Sequence, residues 1–153
     1  MNPRAAASEV ASRLATAGIE DARFEAELLA REAGGISRAQ YFAGSELTPE
    51  ATETLANWAE RRESREPATY ITGHREFFGR EFGVGRGVLV PRPETELLVE
   101  LGLAELETDP RAVVLEVGTG SGAVAVSIAA ERPGATVVAL KGRSFSPLAR
   151  YAV

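Results

Sequence analysis

The sequence predicts an α/β protein in two parts: a small N-terminal helical bundle and, after a β-hairpin linker, the opening of a Rossmann-like domain. Three observations carry that prediction. Short amphipathic helical segments, each with its own stop signal, fill residues 1–65. Aromatic, β-branched and glycine-punctuated sequence replaces them after Glu66-Pro67. Between residues 112 and 140 a strand, a glycine loop, a helix and a second strand follow one another.

In chain order, Asn2 caps a first helix with Pro3 at its first position, and Val10, Leu14 and Ala17 share one face before Gly18. A second helix starts near Asp21, with Phe24, Leu28 and Leu29 as its apolar stripe, and Gly34-Gly35 stops it. A short helix over 37–42 follows. Thr48-Pro49-Glu50 then supplies a cap, a first-turn proline and an acid suited to a helix N-terminus. Leu55, Trp58 and Ala59 form the buried side of that fourth helix. Together these make a helical domain over 1–65.

Residues 66–92 form the linker, in which Thr69-Tyr70-Ile71 and the run 75–82 read as strands of an irregular hairpin. Pro91-Arg92-Pro93-Glu94-Thr95 leads into a helix whose apolar positions are Leu97, Leu98, Leu101 and Leu106. The segment 93–140 begins the α/β domain: a strand over 112–117, a glycine loop at 118–122, a helix over 123–131 and a second buried strand over 136–140. That β-loop-α-β unit seeds a parallel sheet. Two parallel strands alone cannot cover both faces of a sheet, so this half is expected to be poorly supported. Residues 141–153 break the pattern, with Lys141, Arg143 and Arg150, no acid and no helix signal, and are read as an atypical tail.

Composition narrows the function. An apolar content of 44% with 25% charged residues is that of a soluble globular chain. A net charge of −5 and a pI near 5.1 argue against a grip on a phosphate backbone, so no direct nucleic-acid binding is expected. The absence of cysteine excludes disulfides and thiolate metal sites and suits a reducing cytosol. No apolar run reaches the roughly 18 residues that a membrane span requires, and the first residues do not read as a signal peptide. A cytoplasmic location without membrane attachment is therefore expected. His74 is the only histidine, in a hairpin and without companion ligands, so it is read as structural and no metal is expected. Phe77, Phe78 and Phe82 are read as hairpin packing.

The chemistry centres on Leu115-Glu116-Val117-Gly118-Thr119-Gly120-Ser121-Gly122. Closely spaced glycines after a strand let the backbone turn sharply and approach a ligand, with the N–H groups of the next helix directed toward it. One reading is a tight turn with no ligand. A second, dinucleotide binding, uses Gly118, Gly120 and Ala123 but wants an acid about 20 positions further on, where Leu140 and Lys141 stand. A third is binding of S-adenosylmethionine by Glu116, Gly118, Thr119, Gly120, Ser121 and Gly122. In that reading the acid helps to hold the ammonium-bearing methionine end and the glycines pass beneath the ribose and sulfonium. Arg92, Glu94 and Thr95, held between two prolines and a helix start, are further candidates for the vicinity of substrate or cofactor; the competing reading is a capped helix.

The upstream segments decide among these. Glu66-Pro67-Ala68-Thr69-Tyr70-Ile71-Thr72-Gly73-His74-Arg75-Glu76-Phe77-Phe78-Gly79 resembles the linker of the release factor glutamine methyltransferases, the HemK/PrmC family. Val88-Leu89-Val90-Pro91-Arg92-Pro93-Glu94-Thr95-Glu96 is similar to that family's entry into its catalytic domain. With the helical domain, hairpin and glycine loop in the family's order, the resemblance covers about residues 8 to 140.

The resemblance implies a helical domain that recognises a peptide chain release factor and a seven-stranded domain that uses S-adenosylmethionine. The reaction it implies is methyl transfer to the side-chain amide nitrogen of the glutamine in a Gly-Gly-Gln motif. Two departures accompany it. Lys141 stands where the family has an acid for the cofactor ribose, a change expected to weaken binding by roughly 1.5–3 kcal/mol. The family's catalytic Asn-Pro-Pro-Tyr is absent, since the only asparagines are Asn2 and Asn57. No catalytic residue is assigned, and the chain is expected to be truncated after the second strand of the catalytic domain and inactive alone. A non-catalytic release-factor-binding module and a dinucleotide-binding fragment remain as alternatives.

Overall fold

A computed structural model describes residues 1–109 and 111–141. These residues divide into two units, Met1–Thr72 and the residues from Gly73 onward. Apart from Lys141, the tail expected over 141–153 lies outside the described residues.

The first unit is helical. Helix α1 (Pro3–Thr16) starts where the Asn2 side chain accepts from the N–H groups of Arg4 at 3.0 Å and Ala5 at 3.3 Å. Helix α2 (Ala22–Gly34) stops at Gly35, whose φ of 58° gives the left-handed cap. Helix α3 (Arg38–Ala43) opens with a Ser37–Gln40 capping box, and Thr48 caps α4 (Pro49–Glu63) by accepting from Ala51 N–H at 3.2 Å. The core holds Ala6, Ala7, Val10 and Leu14 of α1, Ala22, Ala26, Leu29 and Ala30 of α2, and Leu55 and Ala59 of α4. Trp58 packs half-buried at its margin. Charged ties cross the bundle: Arg13 to Glu63 at 2.7 Å, Arg62 to Glu25, and the Arg65 guanidinium to the carbonyls of Ala17 and Gly18 at the end of α1.

Two expectations for this unit change. Phe24 does not join the buried stripe; it is 70% exposed, and the buried face of α2 is made instead by Ala22, Ala26, Leu29 and Ala30. Thr69-Tyr70-Ile71 is not a strand but part of a short helix, α5 (Ala68–Thr72). Pro67 pre-sets the first turn, its carbonyl accepts from the N–H groups of Tyr70 and Ile71, and Ile71 is buried in the helical core. Tertiary burial overrides β-branched propensity here.

The second unit begins with an antiparallel hairpin, β1 (His74–Phe77) and β2 (Arg80–Gly83), turning at Phe78 and Gly79. Both turn residues have positive φ, 50° and 69°, as a two-residue hairpin turn requires. Phe78 is held in that conformation because its N–H donates to Glu96 Oε1 at 2.9 Å and its carbonyl accepts from Arg80 at 3.1 Å. Phe77 and Phe82 are both 1% exposed and meet edge to face, so the hairpin-packing reading holds for them. His74 lies 3.3 Å from Glu81 across the hairpin.

A 3-10 turn (Pro93–Thr95) leads into α6 (Glu96–Leu106). Strand β3 (Val113–Val117), helix α7 (Ala123–Glu131) and strand β4 (Thr136–Leu140) complete the predicted β-loop-α-β unit. The strands pair in parallel, from Val113 opposite Thr136 to Val117 opposite Leu140. Val114 and Val137 pack with Ile128 of α7 in one core. Val113, Leu115, Val117, Val138 and Leu140 alternate with them and are exposed, so β4 is not the buried strand expected and one sheet face stands open.

Helix α6 also turns the other way. Leu97, Leu98 and Leu101 are exposed, whereas Val99 and Leu106 are buried. The cause lies at Gly102, where an added Cβ would stand 3.1 Å from Ile128 Cδ1. The Val99, Gly102 and Leu106 face approaches α7 closely, and the leucine stripe points away from it. No helix among the described residues is long and apolar enough to cross a membrane.

Candidate functional site

The glycine loop joins the carboxyl end of β3 to α7, where ligands bind in open α/β sheets. Its shape follows from two backbone requirements. Gly118 (φ 80°) leaves the strand with open space where a Cβ would be, and Gly122 (φ 82°) supplies the left-handed residue before α7. The Leu140 carbonyl accepts from both Gly118 N–H at 2.9 Å and Thr119 N–H at 3.2 Å, tying the loop to the end of β4.

Glu116 braces the same loop from beneath. Its Oε2 accepts from Thr119 Oγ1 at 2.7 Å and from Ala125 N–H at 3.2 Å. Thr119 is only 6% exposed, so that hydroxyl needs this partner. Gly122 N–H donates to the Thr119 carbonyl at 2.8 Å, and Ala123 N–H reaches Ser121 Oγ at 3.4 Å. The N-terminus of α7 therefore does not offer the row of free donors that the glycine pattern suggested. The Ala123 and Ala125 N–H groups are engaged internally, and the acceptor of the second is a carboxylate.

A cleft of about 270 Å³ opens over the loop. Glu116, Gly118, Thr119, Gly120 and Ser121 line one side, with Val117, Ala123 and Val124. Leu89, Val90, Pro91, Arg92, Thr95 and Leu98 line the other. Gly120 stands close to that second wall, since a Cβ there would lie 3.8 Å from Leu89 Cβ. The structure thus brings Arg92 and Thr95 to the glycine loop and leaves Glu94, exposed on the 3-10 turn, outside the lining. Spacing explains the split: residues three apart eclipse in a 3-10 turn, so Arg92 and Thr95 share a side that Glu94 does not. Gly122 caps α7 behind the lining rather than within it.

Leu89, Val90 and Leu98 were not expected at the site; Leu98 reads in the sequence only as an apolar position of its helix. The signal available for Leu89 and Val90 was an apolar Val88-Leu89-Val90 run ending against a proline. Lys141 directly follows β4 and is half-buried, and it is not among the residues lining the cleft. Among the described residues no group of three or more His, Cys, Asp or Glu is placed to hold a metal ion.

A larger hollow of about 450 Å³ lies on the helical unit over the small side chains of α1, with Arg4, Arg23, Glu27 and Tyr41 on its walls. Glu27 is engaged there, 3.2 Å from Arg38. Burial raises the Tyr41 hydroxyl above its ordinary pKa, with Glu27 adding to the shift and Arg4 opposing it.

Residues 5–73 match the PrmC N-terminal domain family. The chain is 44% identical over 143 residues to a release factor glutamine methyltransferase of Burkholderia pseudomallei, a match covering 92% of this chain and 50% of that protein. It is 46% identical over 117 residues to the protein of that name from Neisseria gonorrhoeae, covering 75% and 42%. It is 39% identical over 141 residues to that from Moorella thermoacetica, covering 91% and 50%. The chain spans about half the length of these curated relatives.

Proposed function

The chain belongs to the release factor glutamine methyltransferase family over the part of the length it shares with its relatives, and from that premise we propose that its second unit binds S-adenosylmethionine in the glycine-loop cleft. One observation carries the reading: the carboxylate of Glu116 accepts from the Ala125 N–H at the start of α7 and lines the cleft. A pyrophosphate needs free helix donors and no neighbouring carboxylate. A ligand carrying ammonium and sulfonium charge is suited by the opposite arrangement. That contrast separates S-adenosylmethionine from a dinucleotide more sharply than the glycine spacing does.

The residues present fit such a group. Open space at Gly118 permits close approach of a ribose, Leu89 and Leu98 offer apolar wall, and Glu116 and Arg92 supply charges of opposite sign. When bound, the cofactor supplies an electrophilic methyl group. The part of this chain is to bind and orient: Gly118 to Ser121 form the floor, Glu116 stiffens it, and the Arg92–Thr95 turn closes one side. Lys141, next to the loop rather than in the cleft lining, is not an acid that could accept from ribose hydroxyls, which weakens this binding.

For the whole protein we propose the family reaction, methyl transfer to the side-chain amide nitrogen of the Gly-Gly-Gln glutamine of a release factor in the cytoplasm. An amide nitrogen is a weak nucleophile, so positioning of the amide must supply much of the acceleration. These 153 residues contain no Asn-Pro-Pro-Tyr to provide that grip, and by themselves they do not transfer methyl groups. A second reading is favoured by the separate core of the Met1–Thr72 unit. That unit serves as a release-factor-binding module whether or not chemistry follows.

Incubation of the chain with methyl-labelled S-adenosylmethionine and a release factor tests these readings. Cofactor binding and retention of the release factor without label transfer is expected. Label on the release factor would remove the claim of inactivity, and failure to bind cofactor would remove the primary reading.

A further inference from the structure

The hollow of about 450 Å³ on the helical unit combines a floor of small side chains with an unused hydrogen-bonding group. Arg4, Ala7, Ser8, Ala11, Ser12 and Ala15 line it from α1, at the three- and four-residue spacing that keeps side chains on one side of a helix. From Ala7 to Ala15 that floor runs about 12 Å, and its short side chains let a second helix lie close. Tyr41 of α3 stands on the wall. It is only 6% exposed, and its hydroxyl makes no hydrogen bond among the described residues. That oxygen is not among the sealed side-chain atoms, so the little surface Tyr41 keeps includes the hydroxyl, at the hollow it lines. Arg4 and Glu27 on the same walls both act on it electrostatically, and burial keeps it protonated as a ready donor.

The charges on these walls are lopsided. Glu27 is engaged by Arg38 at 3.2 Å, whereas among the described residues neither Arg4 nor Arg23 has a carboxylate within 4.0 Å. In a chain of net charge −5 this leaves a local place for negative charge. A buried hydroxyl without an acceptor carries a cost that an incoming acceptor removes. We infer that the hollow docks an acidic helical segment of the protein partner, laid along the small face of α1 with carboxylates at Arg4 and Arg23 and an oxygen accepting from Tyr41. The inference rests on the reading of the helical unit as a release-factor-binding module and deepens it, naming the surface used and the chemistry of the segment bound. Ser8 and Arg23 are exposed and outside the helical core, so replacing them leaves folding intact.

Calorimetric titration of the 153-residue chain with a release factor tests this, using wild type, Arg23→Glu, Ser8→Leu, Tyr41→Phe and Arg86→Glu. Arg86 is an exposed arginine of the second unit and controls for net charge. Arg23→Glu reverses a wall charge and Ser8→Leu fills the floor, and each is expected to weaken binding by about 10-fold or more. Tyr41→Phe is expected to weaken it by about 3- to 10-fold, and Arg86→Glu by less than about 2-fold. Wild-type affinity in both Arg23→Glu and Ser8→Leu, or an equal loss in Arg86→Glu, overturns the hollow as the docking surface while the binding-module reading stands. Failure of the wild type to bind the release factor overturns both.

Discussion

Replacing Thr119 by valine removes one hydroxyl and almost no volume, which isolates the brace under the glycine loop. Thr119 Oγ1 donates to Glu116 Oε2 at 2.7 Å, and the threonine is 6% exposed. A hydrogen bond to a charged acceptor contributes roughly 1.5–3 kcal/mol. Glu116 is half-buried and keeps its bond from Ala125 N–H, so water and the remaining donor compensate part of the loss. The net cost is about 1–2 kcal/mol, local to the loop and the first turn of α7. Amide hydrogen exchange is the suitable assay, because the only tryptophan, Trp58, reports the helical unit instead. The Ala125 and Gly122 amides should lose protection by roughly 5- to 30-fold, while the Trp58 unfolding transition stays put. Unchanged protection at Ala125 would refute the claim that the carboxylate network holds the loop.

Leu29 is fully buried in the helical core, and Leu29→Ala should cost about 3–5 kcal/mol by urea unfolding followed at Trp58. Gly34→Ala sets a helix-propensity gain of about 1 kcal/mol against a Cβ placed 2.5 Å from Leu47 Cδ2. Leu47 is 3% exposed and has no room to swing, so net destabilisation of about 1–2 kcal/mol is expected in the same assay. The hydrogen bond from Arg13 holds the Glu63 carboxyl below the ordinary glutamate value of 4.5. The stability this pair gives the helical unit is present above that value and lost as pH falls through the lowered one. Stability measured against pH should therefore show a smaller acid loss in Glu63→Gln than in wild type.

The sequence showed its helices where local chemistry decides them. Asn2-Pro3, Thr48-Pro49 and Gly35 each fix a helix end through groups within a few residues, and each lies where it was expected. The glycine loop was legible for the same reason. Which face of a helix is buried depends on the neighbour. Phe24 reads as core from periodicity, but α2 buries its alanines and Leu29 instead; Leu97, Leu98 and Leu101 read as the helix's apolar positions, but Gly102 draws the opposite face of α6 onto Ile128. Ile71 reads as strand until its burial against the helices is known. In the cleft, Arg92 and Thr95 were reachable because they flank prolines beside a helix start. Leu89, Val90 and Leu98 were not, because an apolar residue shows nothing in sequence of whether it faces a core or a ligand.

Titration of the isotope-labelled chain with S-adenosylmethionine, followed at the backbone amides of Gly118, Thr119, Gly120 and Ser121, tests the central claim most directly. Saturable shifts at these four amides and at Thr95, with none from an equal concentration of NAD, are the predicted result. Shifts produced by NAD and not by S-adenosylmethionine would contradict it, returning the loop to the dinucleotide reading that the Glu116 brace argues against.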